Sequence, residues 1–151
     1  MEPFLGVIFA PALDRMFHGF KGGGSEEKSP GREGPIQVRQ LPESGSRAVA
    51  SRSHRNEETN RWLEAHQIRD TVSIGSSLKF CLVACGEADV YPRFGPTMEW
   101  DTAAGDAILR AAGGMTTNPD GSVFRYGKTG YRNSSFIAYG QPDRWEPKAS
   151  V

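Results

Sequence analysis

At 151 residues the chain is long enough for one domain with a real hydrophobic core. Its 18 basic and 18 acidic residues cancel, which excludes the broad electrostatic attraction behind nonspecific nucleic-acid or membrane-surface binding. Eighteen glycines and ten prolines demand many turns and fit a mixed α and β fold.

The apolar run at residues 4–10 follows Glu2 and is stopped by Pro11 and Asp14. It has no basic flank and falls far short of a spanning helix, so it reads as a buried strand. A core strand with no lead-in gives the expectation that the sequence is the back part of a longer protein. Residues 6–10 and 15–20 are predicted as two strands joined by a turn at 11–14. The segment 21–35 (KGGGSEEKSPGREGP) is glycine-rich and charged, and is expected to be a mobile loop.

A short strand is predicted at 36–40 and another at 48–51. A charged helix at 56–66 should turn Trp62 and Leu63 inward, and a buried strand at 71–74 should end in Gly75. Residues 77–84 are the clearest helix, because Leu78, Cys81, Leu82 and Cys85 recur at i, i+3, i+4 and i+7 before the stop at Gly86. That spacing makes the two cysteines small core residues rather than a disulfide or a metal pair. With no CxxC and no secretory signal, the expected location is a reducing cytoplasm, with peripheral attachment at the inner membrane face as a variant. A strand at 88–92, a turn at 93–97, a helix at 102–112 and strands at 123–126 and 135–139 complete the chain. Strands and helices that alternate through the middle favour a layered α/β arrangement.

Three strand–turn–helix segments bring chemistry to one sheet edge, where ligands of such sheets collect. Asp101, in Glu99-Trp100-Asp101, can cap a helix or offer a carboxylate oxygen to a hard cation. The small residues behind it would let backbone and side chain approach a ligand together. Gly75-Ser76-Ser77-Leu78-Lys79 suits an anion, through a close backbone, hydroxyls at a helix start and a lysine off the apolar stripe. The same residues also read as a serine cap with a solvated lysine, and they are not a Walker A loop. His54, beside Arg52, suits a phosphate or a base and equally suits an exposed surface. Trp100 is expected to pack beneath the site, and Arg93 has a weak claim to a ligand.

The strings AVASRSH (48–54), SIGSSLKFCLVACGEADVYPRFGPT (73–97) and EWDTAAG (99–105) resemble the carboxy-terminal half of bacterial CysQ-type 3'(2'),5'-bisphosphate nucleotidases. These belong to the Mg²⁺-dependent, lithium-sensitive inositol monophosphatase superfamily. GVIFAPALDRMFHG (6–19) is similar to the hairpin that follows the family's central metal motif, so the resemblance runs from about residue 4 to residue 140.

The resemblance implies an α/β layered sugar-phosphatase sandwich whose amino-terminal part is missing. It divides the chain into a hairpin remnant of an amino-terminal sheet domain at 1–20 and a carboxy-terminal substrate-binding domain at 36–151. It implies removal of the 3'-phosphate from adenosine 3',5'-bisphosphate or its sulfated relative, with Mg²⁺ as cofactor and no nucleic-acid partner. The metal ligand falls on Asp101, and the substrate-binding residues are Ser51, His54, Gly75, Lys79 and Asp101. The family's Gly-Glu-Glu and Asp-Pro-Leu-Asp-Gly-Thr metal motifs do not occur here, and Glu87, Asp89 and Asp106 stand in no motif that replaces them. The chain is therefore expected to be inactive alone, or completed by a separate amino-terminal polypeptide. The opposing expectation is a non-catalytic nucleotide-binding module, and an inositol-phosphate substrate is a further alternative.

Overall fold

Four antiparallel strands make the first layer of the computed structural model, which describes residues 1–51 and 55–141. They are β1 (Leu5–Ala10), β2 (Arg15–Phe20), β3 (Gly24–Ser29) and β4 (Arg32–Ile36), neighbours in that order. The predicted hairpin is β1–β2, turned through a short 3-10 segment at Pro11–Leu13 and a left-handed Asp14 with φ 49°. β1, however, is an edge strand rather than a buried one. Gly6, Ile8 and Ala10 turn inward, while Leu5, Val7 and Phe9 are each more than half exposed.

Residues 21–35 are the strands β3 and most of β4, not a mobile loop. The inward positions of β3 are polar, which hides the period-two pattern of a half-buried strand. Ser25 donates its hydroxyl to the Ile108 carbonyl at 2.7 Å. The buried Glu27 accepts from Arg15 Nε at 2.8 Å. Of the strand expected at 36–40, only Ile36 is in a ladder.

The second layer is a helix pair, α2 (Leu78–Ala84) and α3 (Glu99–Ala111). Every residue of α2 is buried, because the helix lies between α3 and a second sheet. That sheet holds β6 (Asp70–Ser73), β5 (Arg47–Ala50), β7 (Val90–Arg93), β11 (Phe136–Tyr139) and β9 (Met115–Thr117) in order. β6, β5 and β7 run parallel, and β11 runs antiparallel to both of its neighbours. Its inner strands are apolar on both faces. Val49, Tyr91, Phe136 and Ala138 meet the helix pair, and Ala48, Val90, Ile137 and Tyr139 meet the other side.

There, helix α1 (Glu57–Ala65) places Leu63 in the core and Trp62 against its edge. Asn56 caps α1 by accepting from the Thr59 N–H at 2.9 Å. The order sheet, helix pair, sheet, helix is the layered α/β sandwich that the sequence implies.

Three local expectations change. The strand predicted at 71–74 is the mostly exposed edge strand β6. Residues 123–126 form no strand and touch the sheet through one bridge, Thr117 to Val123, although Phe124 is fully buried. The third helix begins at Glu99, because β8 (Thr97–Met98) pairs with β10 (Arg132–Asn133) immediately before it. Cys81 and Cys85 are free and buried, as expected, and burial pushes the Cys85 thiol up to about 11. No helix among the described residues is long and apolar enough to cross a membrane.

Candidate functional site

A cavity of about 710 Å³ opens where the turns after β5 and β6, the end of β7 and the first turn of α3 converge. Ser51, Gly75, Lys79 and Asp101 all line it. Four of the five residues assigned to substrate by the sequence thus meet in one place, although 50 positions separate the outermost pair. His54 lies outside the described residues.

Lys79 sits at the floor. The sequence places it off the apolar stripe, as a side chain free to reach solvent, but only 5% of it is exposed. Its ammonium donates to the Ser76 carbonyl at 3.1 Å and lies 5.5 Å from the centre of the Tyr91 ring. Burial, reinforced by the like charge of Arg93, brings its pKa down to about 8. No carboxylate lies within ion-pair reach of Lys79 among the described residues.

Gly75 and Ser76 form the wall next to it. A Cβ on Gly75 would meet nothing, so the space above it is open cavity. Ser76 is held in the left-handed region at φ 55°, a conformation that costs a non-glycine residue about 1–2 kcal/mol. Helix α2 is only seven residues long, and Ser77 makes no side-chain cap bond. An anion at this wall would therefore meet Lys79 and open space rather than a helix terminus.

Asp101 is the third residue of α3, not its cap. Its Oδ2 accepts the Met98 N–H at 2.8 Å, and the side chain is exposed to the cavity. One carboxylate oxygen anchors the helix start, which leaves the other for a cation. Glu99 has a purely structural part. Its carboxylate accepts the Lys128 and Gly127 N–H groups at 2.9 and 3.0 Å, and these bonds hold it below the usual carboxylate range.

The small residues after Asp101 serve packing instead of ligand approach. A Cβ on Gly105 would stand 2.6 Å from Phe80, and one on Gly6 would collide with the Ala104 backbone. Trp100 is 68% exposed at the cavity wall, not packed beneath the site, and its ring lies 6.3 Å from that of Tyr131.

The lining also includes Tyr91, Arg93, Thr97 and Thr102. Sequence reading missed the two threonines, whose hydroxyls both accept from Asn133 Nδ2, at 3.2 and 3.0 Å. Asn133 lies more than 30 positions from either partner, so no local pattern could have exposed the link.

Mg²⁺ favours about six oxygen ligands, several of them water. Asp101 is the one carboxylate on the described cavity lining, so the residues present fall short of a metal site. Asp106 points elsewhere, fully buried and paired with Arg110 at 2.9 Å. Elsewhere among the described residues, Glu27, Cys85 and Glu87 come close enough to share an ion, but at the far end of α2. Arg15 already bridges them, at 2.8 Å from Glu27 and 2.5 Å from Glu87, so that cluster is an ion-pair network.

Residues 1–148 match the model of the inositol monophosphatase family. The chain belongs to that family. It is 46% identical over 125 residues to a 3'(2'),5'-bisphosphate nucleotidase CysQ from Salmonella typhimurium, covering 83% of this chain and 50% of that protein. It is 44% identical, with the same coverage, to the CysQ of Escherichia coli. The crystal structure of CysQ from Bacteroides thetaiotaomicron superposes with a TM-score of 0.82 at 36% identity, over 92% of this chain and 58% of that one. This inositol monophosphatase family chain therefore spans about half the length of the CysQ relatives it matches.

Proposed function

We propose that this chain carries the substrate-recognition half of a Mg²⁺-dependent phosphatase acting on adenosine 3',5'-bisphosphate, and on its sulfated relative. In the complete enzyme, water attacks the 3'-phosphorus, the bond to the ribose oxygen breaks, and AMP and inorganic phosphate leave. Lys79 holds a phosphate, Ser51 faces the nucleoside, His54 is assigned to the nucleoside from the sequence alone, and Asp101 would give one oxygen to a metal ion. The observation that carries this reading is the convergence of Ser51, Gly75, Lys79 and Asp101 on one cavity. CysQ relatives that match over 83% of the chain support the nucleotide as substrate.

Two-metal phosphoryl hydrolysis needs carboxylates on both ions. With one carboxylate on the lining among the described residues, this chain binds and does not cleave until a second polypeptide segment supplies the others. In that state it behaves as a nucleotide-binding module. The test is phosphate release from adenosine 3',5'-bisphosphate in Mg²⁺, with the chain alone and with it joined behind the amino-terminal half of the Salmonella relative. The chain alone should release none and the joined protein should turn over. Lithium-inhibited turnover by the chain alone would overturn this reading.

A further inference from the structure

Asn133 on β10 is 2% exposed and stands opposite Thr97 in the β8–β10 ladder. Its amide oxygen accepts from the Lys128 ammonium at 3.0 Å, and its Nδ2 reaches Thr97 Oγ1 at 3.2 Å and Thr102 Oγ1 at 3.0 Å. An ammonium only donates, so the lysine decides which way the amide faces. Lys128 is itself held in place. It donates to the Arg125 carbonyl, pairs with Glu99 Oε1 at 3.5 Å and lies 4.4 Å from the centre of the Phe124 ring.

With the amide fixed, its two N–H groups donate to the two threonines, and neither threonine can spend its own proton on Asn133. The two protons have different fates. Thr102 is buried and donates to the Glu99 carbonyl at 3.2 Å. Thr97 is half-buried on the cavity lining, and among the described residues its proton has no acceptor. Hydrogen bonds in a chain polarise one another, so a charge at one end strengthens the donor at the other. The run from Lys128 through Asn133 to Thr97 ends on the wall built by β8 and the first turn of α3, which carries Asp101 and no cation.

We infer that Thr97 is a ligand-binding donor of the cavity and that Asn133, oriented by Lys128, is the positioning residue that aims it. The group it takes is an oxygen with a free lone pair, on a phosphate or on a sugar. The proposal rests on the nucleotide reading only for the choice of ligand; the direction of the hydroxyl does not depend on it.

That direction can be reversed with little change of shape. In Asn133→Asp the carboxylate still accepts from Lys128, but it also accepts the Thr97 proton and takes it from the ligand. Calorimetric titration with adenosine 3',5'-bisphosphate and with inorganic phosphate tests this on wild type, Thr97→Val, Thr97→Ser, Asn133→Asp and the Thr97→Val, Asn133→Asp double variant. Thr97→Val should weaken the bisphosphate about three- to tenfold, the span of one hydrogen bond, and Asn133→Asp should do the same. Thr97→Ser keeps the hydroxyl and should bind within about twofold of wild type. Once Thr97 is valine, adding Asn133→Asp should cost less than about twofold more, because both changes remove one and the same bond.

A loss on inorganic phosphate as well as on the bisphosphate places the acceptor on a phosphate oxygen, and a loss on the bisphosphate alone places it on the sugar. Unchanged affinity in Thr97→Val, or a weak Thr97→Ser, would overturn the proposal while leaving the nucleotide reading standing. So would an Asn133→Asp loss that persists in full beside Thr97→Val, since that is repulsion by a new charge. Thr97-dependent binding of inorganic phosphate with no binding of the bisphosphate would support the aimed hydroxyl and sink the nucleotide reading. Binding of neither by the wild type would sink both.

Discussion

Gly105 lies against the ring of Phe80 so closely that a Cβ would stand 2.6 Å from Cδ2 and 2.7 Å from Cγ. This contact fixes the spacing of α2 and α3, and with it the separation of Lys79 from Asp101. Gly105→Ala gains helix propensity of about 1 kcal/mol, but overpacking a close-packed contact costs about 1–3 kcal/mol. The net expectation is a lower melting temperature, read by calorimetry. A higher one would show that Phe80 can move aside.

Gly75→Ala should do the reverse. Its Cβ would project into open cavity, so stability should stay within about 0.5 kcal/mol of wild type, the usual range for surface substitutions. Nucleotide affinity should fall, because the methyl group occupies ligand space. Paired measurements of melting temperature and binding on both glycine variants separate a packing glycine from a site glycine.

The two glycines show how much of the chain was legible in its sequence. Gly105 sits in a string that specifies the family, and small residues after an acid read as room for a ligand. The structure uses that room for Phe80 and for the Ala104 backbone against Gly6. Local sequence cannot tell which large object fills a small-residue gap. Strand β3 was hidden for a related reason: its inward Ser25 and Glu27 take their partners from Ile108 and Arg15, distant in the chain. The apolar helix stripe and the central strands were legible because each carries its signal locally. Lys79 was not legible as a buried residue, since the sheet and helix that cover it are brought there by the fold.

Lys79 makes the site sensitive to pH. Its pKa near 8 means the ammonium is charged below that pH and neutral above it. Phosphate favours the charged form, so affinity should fall as pH rises from 7 through about 8, with proton uptake on binding near the midpoint. Calorimetry in buffers of different ionisation enthalpy measures that uptake directly. The lysine also weakens the unliganded fold. A depressed folded pKa leaves a penalty that is complete below about 8 and is relieved as pH climbs towards the ordinary lysine value of 10.5. Lys79→Met should therefore raise the melting temperature at pH 7, and the gain should fade above pH 10.

Asp101→Asn separates the two uses of that side chain. Asn can still accept the Met98 N–H, so the start of α3 and the melting temperature should hold. In the complete phosphatase, turnover should drop by about two orders of magnitude or more, the scale on which electrostatic stabilisation at one site contributes. Full turnover with an early melt would make Asp101 a structural residue only.

The outer face of the first sheet predicts association. Leu5 pairs with Phe20 and Phe9 with Met16 across the β1–β2 ladder, and all four are more than a third exposed beside the edge of β1 that pairs with no other strand among the described residues. Edge strands with apolar faces recruit other chains, and a charge placed on them suppresses this. Sedimentation velocity should show concentration-dependent association of the chain, reduced by Val7→Lys. A clean monomer at high concentration would contradict it.

The central claim is that the cavity bounded by Ser51, Gly75, Lys79 and Asp101 is a nucleotide-phosphate site, and titration of the chain with adenosine 3',5'-bisphosphate at pH 7 tests it most directly. The account predicts saturable binding that weakens by about 1.5–3 kcal/mol in Lys79→Ala, the value of a hydrogen bond to a charged group. No binding by the wild type, or equal binding by Lys79→Ala, would contradict it.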